Sequence, residues 1–336
     1  MKKYLLFTLV CTIFPYMMIT GCKNSERIPS SEKDILNLSM RVNDETIRLK
    51  PTIVFMSDFG STEAVAICHQ MMKRIDSSIE IIDFNHNINS FNVDHGSILL
   101  ERSRDFVNGT VFMAVVDPGV GTERLPIILK TRKKELYFVG PNNGVFTDVA
   151  NLFGIDSVSE ILPKKVNPKW SGWTFDGRDL YSPAAAMIAA SRGSAVKFIS
   201  KEMKESDLVK INIKNRVRIQ ADSIKAKIVA IDEPYGNIWT QVKIADLKKI
   251  GIKEGDYLTI NISKTKSILK IKWVRSFGNV PAGADLAYLD SRNGIGSGYF
   301  SLGVNTGDFR QKHSLAIGDF ITISKFKEKI EKQPYF

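Results

Sequence analysis

The sequence predicts an α/β domain with a mostly parallel sheet, followed by a smaller antiparallel β-barrel-like domain. Three observations carry that expectation. Up to about Ala190, short apolar runs alternate with segments of helical periodicity, the order of a parallel sheet covered by helices. Beyond about Lys204, β-rich runs separated by turn residues take over and helices become few. The chain has 336 residues, 43% hydrophobic and 25% charged, which is enough for two ordinary cores.

Element by element, Thr52 to Met56 reads as a buried strand running into the loop Ser57-Asp58-Phe59-Gly60. A helix is expected over Thr62 to Ile75, a strand over Ile79 to Ile82, a second helix over Val93 to Phe106, and a third strand over Thr110 to Val116. Leu136 to Val139 is another strand. Tyr181 to Ala190 is an Ala-rich and therefore closely packed helix. In the second half, strands are expected at Val217 to Gln220, Ala226 to Ile231, Tyr257 to Ile262, Ile268 to Val274 and Phe320 to Ile323. The boundary falls near Glu202 to Lys214, giving domains of 51–205 and 206–336.

The first residues read as an export signal, with an uncleaved membrane anchor as the alternative, which Pro15 within the run and the small residues before Cys22 disfavour. Lys2 and Lys3 precede an apolar run from Tyr4 to Ile19 that ends at Thr20-Gly21-Cys22. Ile19-Thr20-Gly21-Cys22 resembles a bacterial lipobox, which implies lipid attachment at Cys22, a signal over 1–22 and an exported, membrane-anchored chain. Residues 23–50 are polar and read as a tether. Cys68 is then the one thiol left in the exported domain, in an apolar helical stretch where it packs as an inert group. Lys+Arg 47 against Asp+Glu 36 gives a net charge of +11, spread along the chain without a nucleic-acid-binding signature. It is read as solvated surface, with no nucleic-acid partner. No His or Cys pair has metal-ligand spacing, so no metal is expected.

Open parallel sheets bind ligands beyond the carboxyl ends of their strands. Four polar clusters fall there: Ser57 to Gly60, Asp83 to His86, Asp117 to Gly121 with Arg124, and Gly140 to Gly144. Each alone is ordinary turn chemistry. Together, in register with strand ends, they mark a site.

The order of these blocks resembles the S-adenosylmethionine hydroxide adenosyltransferase family, also called S-adenosylmethionine hydrolases, which is related to fluorinase and chlorinase enzymes. Matching stretches are Ser57-Asp58-Phe59-Gly60, Asp83 to His86, Val115 to Gly121 with Arg124, Val139 to Gly144, Thr174 to Asp179, and Ile231-Asp232 with Gly236-Asn237. The resemblance implies a homotrimer with sites between the first domain of one subunit and the second domain of the next. It implies a small nucleoside substrate and no cofactor besides S-adenosylmethionine, which is itself the substrate. Asp58 matches the position that grips the ribose hydroxyls. Asp232 and Asn237 match positions at the methionine end. Ser291 and Arg292 fall in a second-domain binding loop. Asp117 and Arg124 match groups near the attacking water.

Two positions depart from the family pattern. Asp176 stands where the family block has His, and Asn142 where it usually has Asp. A carboxylate at 176 accepts a proton from water or pairs with Arg124, but supplies no positive charge. Asp117, Arg124 and Asp176 are the catalytic candidates. Three functions follow: a hydrolase forming adenosine and methionine, a halide-using relative, and a non-catalytic adenosine or S-adenosylmethionine-binding lipoprotein. His86 is expected to be a structural hydrogen-bonding group, Arg178 and Asp179 an ion pair, Trp170 and Trp173 stacking or packing groups, and 294–298 a turn.

Overall fold

The computed structural model describes residues 50–172, 174–291 and 298–327. Cys22, Trp173, Arg292 and the predicted signal and tether lie outside them. A seven-stranded sheet forms first. It comprises β1 (Thr52–Ser57), β2 (Glu80–Asn85), β3 (Val111–Val115), β4 (Pro126–Thr131), β5 (Tyr137–Pro141), β6 (Ile155–Ile161) and β7 (Ser200–Met203). Their spatial order is β2-β1-β3-β5-β4-β6-β7. The first four strands in that order pair in parallel. β4 then runs antiparallel to both β5 and β6, and β7 antiparallel to β6.

The central strands β1, β3, β5 and β4 are largely apolar and buried because both faces are covered, whereas the edge strands β2 and β7 carry exposed polar residues. Successive side chains alternate between faces. Ile53 and Phe55 pack with Cys68 and Met72 of α1 (Glu63–Ile75), and with the three alanines Ala184 to Ala186 of the later helix Ser182–Ala190. Val54 and Met56 face the other way, toward Ile98 of α2 (Val93–Leu99) and Val149 of α3 (Thr147–Phe153). The helix expected over Val93 to Phe106 tightens into a 3₁₀ segment after Leu99. The Ala-rich helix, α4 (Ser182–Ala190), follows directly on a π turn over Gly177–Tyr181.

A curled nine-stranded sheet, half-barrel in form, makes the second domain. Its strands are β8 (Val217–Ile219), β9 (Ser223–Lys227), β10 (Ala230–Asp232), β11 (Asn237–Lys243), β12 (Tyr257–Ile262), β13 (Ser267–Trp273), β14 (Asp285–Leu289), β15 (Tyr299–Val304) and β16 (Phe320–Lys325). The order is β10-β11-β15-β14-β13-β12-β16-β9-β8. All pairs are antiparallel except the short β13–β14 contact. The single strand expected over Ala226 to Ile231 is two, β9 and β10, because the chain leaves one end of the sheet and rejoins at the other.

The domains are locked by a buried charge network. Arg216 donates to both carboxylate oxygens of Asp148 at 2.8 Å, to Asp94 at 2.7 Å and to Gln241 at 2.9 Å. Lys227 reaches the other oxygen of Asp94 at 2.7 Å. Burial opposes the Asp94 charge, but these two cations outweigh it and hold its pKa below the usual value. Asn142 ties the linker: its amide donates to the Asp207 carbonyl and its oxygen accepts from Val209 N–H, both at 2.9 Å. No described helix is long and apolar enough to cross a membrane.

Candidate active site

Because β1, β2, β3 and β5 are parallel, their carboxyl ends open onto one edge. The predicted polar clusters therefore meet there. Asp58 follows β1, and its N–H donates to the Val115 carbonyl at 3.3 Å. One Asp58 oxygen accepts from the Phe91 N–H at 2.9 Å, which fixes the carboxylate. Phe91 has φ 65, a left-handed conformation rare for an aromatic residue, so the turn presents that N–H under strain. At Gly140 a Cβ would lie 2.3 Å from the Ala114 carbonyl, so glycine is required where β5 meets β3.

Asp117 follows β3. Arg124 arrives from the β3–β4 loop, since antiparallel β4 begins at this same edge. Arg124 Nε bonds both Asp117 oxygens, at 3.1 and 2.8 Å, and Nη2 bridges Asp117 and Asp176, the latter at 2.7 Å. Asp117 also accepts from Gly119 N–H at 3.1 Å. Asp176 receives fewer bonds: one oxygen takes Arg124, and the other takes Trp170 Nε1–H at 3.1 Å. The three side chains are 5%, 11% and 7% exposed for Asp117, Arg124 and Asp176, so the trio is largely desolvated. Burial opposes the Arg124 charge, yet the Asp117 bond and its neighbours raise its pKa on balance. The guanidinium lies 5.6 Å from the centre of the Tyr181 ring. Tyr181 is wholly buried, its hydroxyl has no partner among the described residues, and burial keeps it protonated well past its ordinary pKa.

A cleft of about 270 Å³ is lined by Asp58, Phe91, Asp117, Thr174, Phe175 and Asp176, among others. A second cleft, about 640 Å³, is lined by Asp232, Tyr235, Asn237, Phe277, Asp290 and Ser291, among others. Asn237 donates to Asp232 at 3.2 Å, and its own buried oxygen has no partner among the described residues. Asp58, Asp117 and Asp176 thus line one cleft and Asp232, Asn237 and Ser291 the other, neither cleft is lined by members of both, and Arg124 lines neither.

Several expected structural roles are visible. His86 Nδ1 bonds Ser57 Oγ at 2.7 Å, and its Nε2 bonds Asp83 at 3.0 Å. Arg178 pairs with Asp179 through two 2.7 Å bonds. Cys68 is buried, which pushes its pKa up to about 11. Trp170 turns out to orient Asp176. Phe91 and Tyr181 were not singled out from the sequence. The available signals were an aromatic inside the Asn-Ser-Phe-Asn turn and an aromatic close behind Arg178-Asp179. Among the described residues no three His, Cys, Asp or Glu side chains are grouped to hold a metal.

The geometry defines a two-domain α/β protein whose carboxylate-lined cleft sits at the carboxyl ends of parallel strands, where such sheets take their ligands. Residues 53–197 match the SAM hydroxide adenosyltransferase N-terminal domain, and residues 226–322 match the C-terminal domain. The chain belongs to the SAM hydroxide adenosyltransferase family. It is 32% identical to an (R)-S-adenosyl-L-methionine hydrolase of Methanocaldococcus jannaschii over 233 residues, covering 67% of this chain and 80% of that one. It is 26% identical to a fluorinase of Nocardia brasiliensis over 293 residues, covering 80% and 95%. A crystal structure of an uncharacterized conserved protein from Thermotoga maritima superimposes with TM-score 0.73 at 31% identity, covering 81% of this chain and 99% of that one.

Proposed function

We propose that this chain hydrolyses S-adenosylmethionine to adenosine and methionine. The observation that carries the reading is that Asp117 and Asp176, bridged by Arg124, line the same cleft as Asp58. In this reading Asp58 uses its free oxygen for the ribose hydroxyls, since a carboxylate accepts several hydrogen bonds at once. A water oxygen attacks C5′. The C5′–S bond breaks, its electron pair stays on sulfur, and neutral methionine thioether leaves. The water proton passes to a carboxylate and then to solvent. Asp176 suits that role better than Asp117, because Asp117 is already crowded by Arg124 and Gly119 donors. Arg124 fixes the two acids relative to each other, and the buried position limits competing solvent. No cofactor or metal is part of the mechanism.

The reading extends to assembly and location. The two separate clefts support a homotrimer in which Asp58, Asp117 and Asp176 of one subunit meet Asp232, Asn237, Ser291 and Arg292 of the next. Lipid attachment at Cys22 would hold this trimer at a membrane on the exported side.

Incubation with S-adenosylmethionine in ¹⁸O-water tests the chemistry. Adenosine carrying ¹⁸O at its 5′ oxygen is expected, and Asp176→Asn should slow its formation by roughly 10²–10⁴-fold, the usual contribution of a general base. Tight adenosine binding with no labelled product from the wild-type chain would favour the non-catalytic binder.

A further inference from the structure

The charge arrangement at the first cleft reaches beyond the reaction to the choice of nucleophile. Three carboxylates, Asp58, Asp117 and Asp176, line it. Arg124, which bridges two of them and is not itself a lining residue, has Nε and Nη2 engaged by Asp117 and Asp176. Its face lies over the Tyr181 ring. The positive group is therefore bracketed by two negative ones. An anion entering the cleft would meet carboxylate oxygens in a poorly solvated place, where like charges repel far more strongly than in water. A neutral molecule with hydrogens to donate meets the same oxygens as acceptors.

We infer that Asp176 is a specificity-determining residue that makes the nucleophile pocket an anion filter. It admits neutral, hydrogen-donating nucleophiles such as water and rejects halide ions. This rests on the hydrolase reading for the identity of the reaction, but the filter itself is a property of the cleft. Removing the charge at 176 leaves Arg124 and Asp117 as a balanced pair, even though an amide oxygen at 176 can still accept from Arg124. A halide then has a positive group to approach and one fewer repelling charge.

Trp170 provides a reporter, because its Nε1–H donates to Asp176 at 3.1 Å. Iodide quenches indole fluorescence on contact, and acrylamide does so without charge. The Trp170 contribution is read in the full chain by difference against Trp170→Phe, prepared in each background. In Asp176→Asn the iodide quenching constant of that contribution should rise by at least about threefold over wild type, as expected for loss of one nearby repelling charge. Acrylamide quenching should stay equal, which checks that the fold is intact. Asp176→Glu, which keeps the charge, should resemble wild type. In parallel, chloride replaces gluconate at constant ionic strength during S-adenosylmethionine turnover. Wild type should form adenosine at an unchanged rate and make no 5′-chloro-5′-deoxyadenosine. Asp176→Asn should be inhibited by chloride or yield the chloronucleoside. Equal iodide quenching in wild type and Asp176→Asn, or chloronucleoside from the wild type, would overturn the filter. If wild type forms no adenosine while the iodide contrast persists, the hydrolase reading falls and the filter stands.

Discussion

Asp58 is half engaged: one oxygen holds the Phe91 N–H and the other is left for a ligand. Asp58→Ala should weaken adenosine binding by about 1.5–3 kcal/mol, the range for hydrogen bonds to a charged group. Calorimetry with adenosine and 2′-deoxyadenosine checks this. Equal affinity of the wild-type chain for both would remove Asp58 from the ribose hydroxyls. The carboxylates that line the first cleft were legible because they sit in local turn motifs at strand ends. Phe91, which holds Asp58, was not, because it comes from elsewhere in the chain. Phe91 lies 33 residues from Asp58, and Arg124 lies 52 residues from Asp176. Such pairings follow from the path of the backbone, which local spacing does not record. The pairing of Arg124 with Asp176 was considered only because both positions belong to recognisable blocks.

At the level of elements, strands buried on both faces were readable as continuous apolar runs, as at Thr52 to Met56. β4 was missed, although Pro126-Ile127-Ile128-Leu129 is such a run, because it follows closely on a glycine-rich turn. β11 and β15 were missed for another reason. Thr240 and Ser301 are polar yet wholly buried, and Thr240 donates to the Phe300 carbonyl, so the apolar pattern breaks inside a real strand. Two predictions belong here. Arg216 joins α2 and α3 to the second domain, so Arg216→Ala leaves Asp94 and Asp148 facing each other without their shared cation. It should cost about 3–5 kcal/mol of stability, the usual effect of breaking a buried pair, and denaturant unfolding measures it. His95 of α2 is the second case. Burial lowers its pKa from 6.5 to about 4, the nearby Asp94 only partly opposing this. The unfolded chain therefore takes up that proton first. The His95 contribution is fully present above pH 6.5 and is lost as pH falls toward 4, with a slope approaching about 1.4 kcal/mol per pH unit. His95→Gln should flatten this part of a pH–stability curve. A curve of unchanged slope would mean that His95 already carries its proton in the fold.

The predicted binding groups divide between two clefts, one in the first domain and one lined mainly by the second. Light scattering on the assembled protein should report three chains if, as proposed, a ring closed by head-to-tail contacts brings the first cleft of each subunit to the second cleft of its neighbour. A monomer that retains turnover would defeat that arrangement. The division also has a genetic consequence. If activity resides at the boundary between neighbours, two defective forms of the chain can rescue each other. Asp58→Ala damages one side of every boundary and Asp232→Ala the other, so each homogeneous assembly should be strongly impaired at low substrate. Co-expressed and mixed at random, they should regain about one intact boundary in four. A single gene would then behave as two complementation groups, sorted by the side of the boundary on which each lesion falls.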